Sequence, residues 1–150
     1  MSEQDIKVYD AENMVVGRLG SKVAKAALLG QHIVIVNIEK AIITGDKRTV
    51  IDAFKKKHKI RTSYNPKRGP IHQRRPDKMV RKMIRGMLPW PKPRGKAALK
   101  RIQIFIGVPE KFADAEKIVL EGSKYRSLTQ KHITIQDLSH ELGWRNPEVA

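Results

Sequence analysis

Cysteine is absent from this 150-residue chain. That excludes a disulfide framework, a cysteine nucleophile and any thiolate-bound metal. Aromatic residues make up only 5%, which argues against a sheet that binds RNA by stacking bases on its face. Long apolar runs are missing too. The longest, Ile33 to Val36, is broken by Asn37 and closed by Ile38, whereas a membrane span needs about 20 apolar residues. The first ten residues lack a basic start and an apolar stretch, so they do not read as a secretion signal. What remains reads as a soluble, intracellular protein of a size that fits one domain, 1–150.

Acidic residues are scarce, and in one region they almost vanish. The chain has 31 Lys and Arg against 15 Asp and Glu, a formal charge of +16. From Lys55 to Arg101 there are 18 basic residues and one acid, Asp77, so this stretch alone carries +17. The rest of the chain is close to neutral. A short charge run is ordinarily a solvated face. Over 47 residues, self-repulsion opposes compaction unless an external anion relieves it, which points to a nucleic acid as partner.

The near-neutral flanks carry the pattern of an α/β body. Ile6 to Tyr9 alternates as a strand. Arg18 to Leu29 reads as a helix with Leu19, Val23, Ala26 and Ala27 on one face and Gly30 as its stop. The small residues Gly20, Ser21 and Ala24 suggest close approach of a neighbouring element. Ile33 to Ile38 is the apolar, β-branched run of a strand buried on both faces. Strand, helix and strand make a βαβ unit with a parallel pair. Ala41 to Thr44 adds a short strand, and Gly45-Asp46 opens a helix through Val50, Ile51 and Phe54 into Lys55, Lys56 and Lys57. Later, Ile102 to Ile106 is a strand, a helix is expected around Ala113 to Leu120, and Ile133 to Ile135 is a brief strand. Thr134 to Asp137 resembles a capping box for a helix ending near Leu142 and Gly143. The expected fold is three-layer α/β/α, with a long basic insertion at 55–101.

That insertion has its own order. Residues 59–76 offer almost nothing to bury. Pro66, Gly69, Pro70 and Pro76 punctuate Lys59, Arg61, Lys67, Arg68, His72, Arg74 and Arg75, which predicts an extended arm that orders against a partner. Next, Met79, Val80, Met83, Ile84, Met87 and Leu88 fall on one side of a helix. Lys78, Arg81, Lys82 and Arg85 share an arc of roughly 100° on the other. One face docks and the other presents cations. Pro89 to Arg94 then forms a stiff turn containing Trp90 and Lys92. Trp90 has two open readings, as a platform for an exposed base or as a lid on the core. Arg94, Lys96 and Lys100 follow on or beside a short helix. Arginine forks grip phosphate oxygens in pairs, and irregular Pro- and Gly-rich arms suit folded RNA better than a regular duplex groove.

Catalysis finds little support. The histidines (His32, His58, His72, His132, His140) show no H-x-x-x-H spacing. Gly17 to Lys22 lacks the glycine gap and the GK[ST] order of a phosphate loop. No catalytic residue, metal or cofactor is assigned, and neither a membrane nor a small-molecule substrate is expected. The second reading is a nucleic-acid-binding regulator that acts alone.

Several stretches resemble one family. Asp10-Ala-Glu12, Val16-Gly-Arg-Leu19, Val23-Ala-Lys25, Asn37-Ile-Glu-Lys40 and Gly45-Asp46 are similar to the opening of the large-subunit ribosomal protein thirteen family. Asn65-Pro66, Gly69-Pro-Ile-His72, Arg75-Pro76, Arg85-Gly-Met-Leu-Pro89 and Arg94-Gly-Lys-Ala-Ala-Leu99 resemble its signature region, and Gly107-Val-Pro109 also fits. The tail from Ile133 to Trp144 looks like the archaeal and eukaryotic branch, and in its shortness more like the archaeal. Trp90-Pro91 departs from a more polar family pattern. The resemblance implies a mostly parallel four-stranded sheet and no catalytic activity. It also implies contact with large-subunit ribosomal RNA and neighbouring ribosomal proteins, in the cytoplasm, with a part in early subunit assembly. It falls on His72, Arg75, Arg85, Arg94 and Lys96. On this reading, reversing Arg81 and Arg85 to Glu leaves the fold intact and blocks incorporation into large subunits.

Overall fold

The computed structural model describes residues 6–126 and 130–145. Its centre is a parallel sheet. Strand β1 (Ile6–Asp10) pairs in register with β2 (His32–Val36), from Ile6 opposite His32 to Asp10 opposite Val36. On its far side β2 holds β4 (Ile102–Ile104), and β1 holds the two-residue β5 (Lys117–Ile118), giving the order β4-β2-β1-β5. β2 is flanked on both edges and covered on both faces. That is why its run of four buried residues is apolar without alternation.

Helix α1 (Val16–Leu28) joins β1 to β2, and Gly30 just beyond it adopts φ 98°, the left-handed turn that a C-terminal glycine permits. Helices α3 (Pro76–Gly86) and α4 (Pro93–Lys100) pack on α1 over the same face of the sheet. Leu19, Val23, Ala27, Ile33, Ile35, Val80, Ile84, Ala98 and Ile102 meet there in the main core. The small residues of α1 serve this packing. A Cβ on Gly20 would stand 3.0 Å from the Met87 sulfur and 3.5 Å from Ile84. The opposite face is smaller: Val8, Val34 and Val36 lie under Phe105, Phe112 and Ala115. The arrangement is consistent with α/β/α layering around a four-stranded sheet, the far cover being contributed here by a loop with a 3-10 turn at Glu110–Phe112.

That loop corrects one expectation. Residues 113–120 form no helix. Phe112 and Ala115 have helical spacing, but both are needed against Val8, Val34 and Val36, while Ile118 continues the sheet beside Tyr9. Tertiary packing outweighs the weak helical preference of the segment. The short strand expected at Ala41 to Thr44 forms as β3 (Ile42–Thr44). It leaves the main sheet and pairs antiparallel with β6 (His132–Thr134). β6 leads directly into α5 (Ile135–Glu141), where the Thr134 hydroxyl accepts the Asp137 amide at 3.1 Å as the expected cap.

The carboxyl ends of the parallel strands, the usual ligand crevice of such sheets, are tied together by polar contacts. Asn37, at φ 55°, donates its side-chain amide to Asp10 at 3.0 Å, and the Gly107 amide donates to Glu39 at 3.0 Å. The body turns its chemistry elsewhere, toward the basic segment.

Candidate nucleic-acid interface

Helix α2 (Lys47–Lys59) brings the first cations. Ile51 and Phe54 anchor its inner side, which leaves Lys55, Lys56, Lys57 and Lys59 exposed. Four basic side chains in the last turn also oppose the negative end of the helix dipole. The arm then leaves in extended form, broken by a 3-10 turn at Pro66–Arg68. Asn65 caps that turn by accepting the Lys67 amide at 3.1 Å. The Thr62 hydroxyl donates to the Asn65 carbonyl at 2.8 Å, and Lys82 donates to the Ile71 carbonyl at 2.7 Å. The arm therefore lies along α3.

Pro76 begins α3, as a first-turn proline should. Met79, Val80 and Ile84 are buried, Met83 is half-buried, and Leu88 is buried just past the helix end. Met87 also lies beyond the helix and remains 42% exposed. On the outer side, Lys78, Lys82 and Arg85 are exposed, and the Arg85 guanidinium lies 4.7 Å over the Trp90 ring. Trp90 is half-buried against the main core. It thus acts as a lid, and one edge still faces the groove described below.

Arg81 behaves differently from its neighbours. It is half-buried and donates through one nitrogen to the Ile102 carbonyl at 2.8 Å and through the other to the Leu99 carbonyl at 3.2 Å. Its planar fork fastens α3 to the end of α4 and the start of β4. The expectation that glutamate at 81 leaves the fold intact therefore fails: a carboxylate there would face two carbonyl oxygens. The heptad-like spacing that grouped Arg81 with Arg85 holds, but 81 sits at the edge of the cationic arc, where the helix meets α4.

The arm and helices enclose a chain of cavities that share walls. One of about 550 Å³ lies among Lys55, His58, Lys59, Arg61 and Arg74. The next, about 370 Å³, is lined by His58, Arg61, His72 and Arg74. A third, about 400 Å³, takes His58 and His72 together with Lys57 and Lys82. The last and largest, about 740 Å³, is an open groove between Gly69–Ile71 and Lys78, Arg81, Lys82, Arg85 and Trp90. Among the described residues, Glu141 is the single carboxylate on these walls, and Lys55 neutralises it at 3.4 Å. The result is a continuous concave surface of one sign.

Eleven of the predicted site residues line these cavities: Lys55, Lys57, Lys59, Arg61, His72, Arg74, Lys78, Arg81, Lys82, Arg85 and Trp90. Arg75 instead pairs with Asp77 at 2.9 Å, at the start of α3. Lys56, Lys67, Arg68, Lys92, Arg94, Lys96 and Lys100 are exposed without lining them.

His58 was not singled out from the sequence. Its spacing from Ile51 and Phe54, seven and four residues on, is the signal that turns it inward. Its ring nitrogen Nδ1 donates to the Phe54 carbonyl at 2.9 Å, and its ring centroid stands 5.4 Å from that of His72. Burial first, and then the charges of Lys82, His58 and Lys57, hold the His72 imidazole below its ordinary value near 6.5.

The sequence profile of the family described as Ribosomal protein L13 matches residues 4–111. The large ribosomal subunit protein uL13 of Methanococcus maripaludis is 46% identical over 137 residues, covering 91% of this chain and 96% of the relative. That of Archaeoglobus fulgidus is 40% identical over 143 residues, covering 94% and 90%. That of Saccharolobus solfataricus is 36% identical over 143 residues, covering 95% of each. Similarity to archaeal large-subunit ribosomal proteins thus runs across nearly the whole length of the chain, and the chain belongs to the ribosomal protein L13 family.

Proposed function

We propose that the chain is a structural, non-enzymatic constituent of the large ribosomal subunit that binds ribosomal RNA through the basic segment and helps early subunit assembly. The observation that carries this reading is the run of four wall-sharing cationic cavities on a chain of this family. A concave surface of one sign focuses the field on a polyanion, and irregular walls suit folded RNA. The α/β body holds the arm and α3 in fixed relation, so phosphates that repel one another in the free RNA are neutralised in a set geometry. Lys67, Arg68, Lys92, Arg94, Lys96 and Lys100 extend the contact beyond the cavities, and neighbouring ribosomal proteins complete it.

The test is co-sedimentation with large subunits at moderate salt. The wild-type chain is expected in the large-subunit fraction, and a variant with Lys78 and Arg85 changed to Gln is expected to remain at the top of the gradient while melting within about 4 °C of the wild type. A wild-type chain that binds RNA yet stays out of the large subunit would favour the stand-alone regulator.

A further inference from the structure

We infer that the cavity between α2, the arm and α3 is a proton-linked phosphate pocket, which takes an RNA phosphodiester as the His58–His72 pair gains one proton. The inference rests on the RNA-binding reading above and names how one part of that surface works.

The argument starts from the ring of His58. The Phe54 carbonyl can only accept, so Nδ1 of His58 carries the hydrogen of their 2.9 Å contact. In the neutral ring Nε2 is then a bare lone pair. That atom is buried and has no hydrogen-bond partner. Water or a protein group ordinarily satisfies such an atom. The cavities that His58 lines are otherwise cationic: Lys57 and Lys59 come from its own helix, Arg61 and Arg74 from the arm and Lys82 from α3. The one carboxylate nearby, Glu141 of α5, is engaged by Lys55. The second imidazole, His72, faces the same cavity.

Phosphate oxygens only accept hydrogen bonds. A phosphate in the cavity would find only lone pairs on neutral imidazoles that carry their hydrogen elsewhere, whereas a proton gained by the pair presents a cation and a further N–H to it. The same anion cancels the repulsion from Lys57 and Lys82 that disfavours a charged imidazole. Occupancy and protonation therefore drive each other. The remaining walls fit the strand that carries the phosphate. Phe54, Met79 and Met83 make an apolar floor for a sugar, and Lys82 keeps two N–H donors free after its bond to the Ile71 carbonyl.

The experiment uses the full chain and deproteinised large-subunit ribosomal RNA. Calorimetric titration in two phosphate-free buffers of different ionisation enthalpy counts the protons taken up. Uptake approaching one proton per chain near neutral pH is expected, with affinity rising by up to about tenfold per pH unit on going from pH 8 toward pH 6. His72→Gln, and separately His58→Asn, which retains a donor to the Phe54 carbonyl, are expected to flatten that pH slope whatever their absolute affinity, with melting curves confirming that both fold. RNA binding without proton uptake, or with a slope that both variants preserve, overturns the pocket and leaves the RNA-binding reading standing. Failure of the wild-type chain to bind RNA at any pH overturns that reading itself. In a second arm, inorganic phosphate is titrated into the free protein while the imidazole nitrogens are followed by NMR. Phosphate that competes away the RNA-linked proton uptake supports a shared pocket. Phosphate that protonates the rings when RNA does not makes it a site for free anions and overturns the assignment to an RNA strand.

Discussion

Arg81 and Arg85 are one turn apart on the same helix, and replacing each by Gln should give opposite results. Arg81 makes two hydrogen bonds from a charged donor to backbone carbonyls, at 2.8 and 3.2 Å, in a half-buried setting. Bonds of this kind contribute about 1.5–3 kcal/mol each, the longer one less, and their loss leaves the Leu99 and Ile102 carbonyls short of a donor. A loss of about 3 kcal/mol in Arg81→Gln is the central expectation, which for a domain of this size lowers the melting temperature by about 6–12 °C. Arg81→Lys keeps the charge but cannot span both carbonyls, so it should recover about half of that loss. Arg85 is exposed and lies 4.7 Å over the Trp90 ring. A cation–π contact at such a site contributes about 0.5–1 kcal/mol, so Arg85→Gln should shift the melting temperature by no more than about 4 °C. RNA binding measured well below both melting temperatures should then fall more for Arg85→Gln than for Arg81→Gln. The reasoning is refuted if Arg81→Gln melts with the wild type while losing as much RNA affinity as Arg85→Gln, since that guanidinium would then be an RNA ligand resting on carbonyls.

Gly95→Ala places a Cβ 2.1 Å from the Pro89 carbonyl oxygen and 3.0 Å from the Trp90 amide. Backbone cannot yield as a side chain can, so a loss of at least about 3 kcal/mol, seen as a lowered denaturation midpoint, is expected. Ile84→Ala, in the fully buried seam between α3 and α1, should lose about 2–5 kcal/mol in the same measurement. Replacing Lys78 and Arg85 together should make the slope of log affinity against log salt shallower by about 1.4–1.8, if each neutralises one phosphate. In the free protein His72 is held below its ordinary value, so the unfolded chain binds the proton more readily. Stability is then full above pH ~6.5 and declines as pH falls through the depressed native value, and His72→Gln should reduce that decline in melting curves recorded without phosphate.

How much of this was legible in the sequence depends on whether a residue's role is set by its own neighbours in the chain or by distant ones. The β1-α1-β2 unit was readable because its signals are local: a β-branched run, a one-faced helix and Gly30 at the turn. α3 was readable for the same reason, down to Pro76 at its start and the buried Met79, Val80 and Ile84. The helix expected around Ala113 to Leu120 does not form because Phe112 and Ala115 keep helical spacing while serving the back of a sheet whose Val8, Val34 and Val36 lie 76 to 107 residues earlier. Arg81 lies on the expected side of its helix, but its two bonds to backbone carbonyls could not be read there. Nothing within the helix shows that the end of α4 will offer two carbonyls at that edge, and that meeting decides the matter. His58 was overlooked for a related reason. Its inward turn could be read from Ile51 and Phe54, but its meaning arises only when the arm brings His72 back against it.

The excess charge raises a question of balance that the fold answers in part by itself. Among the cations of the basic segment, Lys55 and Arg75 find carboxylates, Arg81 and Lys82 find carbonyls, Arg101 reaches the Ala27 carbonyl at 3.3 Å, and Arg85 finds an aromatic face. These contacts fasten the frame: α2 to α5, α3 to α4, the arm to α3, and α1 to the α4–β4 turn. Lys57 lies 5.1 Å over the Phe54 ring, and most of the other cations face solvent on α2, the arm, α3 and α4. Exposed ion pairs contribute little to stability, so the apolar stripe of α3, buried against α1 and the sheet, is what holds the like charges together in the free chain. An RNA strand need not create this surface. It has to supply the counter-charge that the sequence withholds from it, and the strongest demand should lie at His58 and His72, where the walls are most enclosed and a bare ring nitrogen waits for a proton.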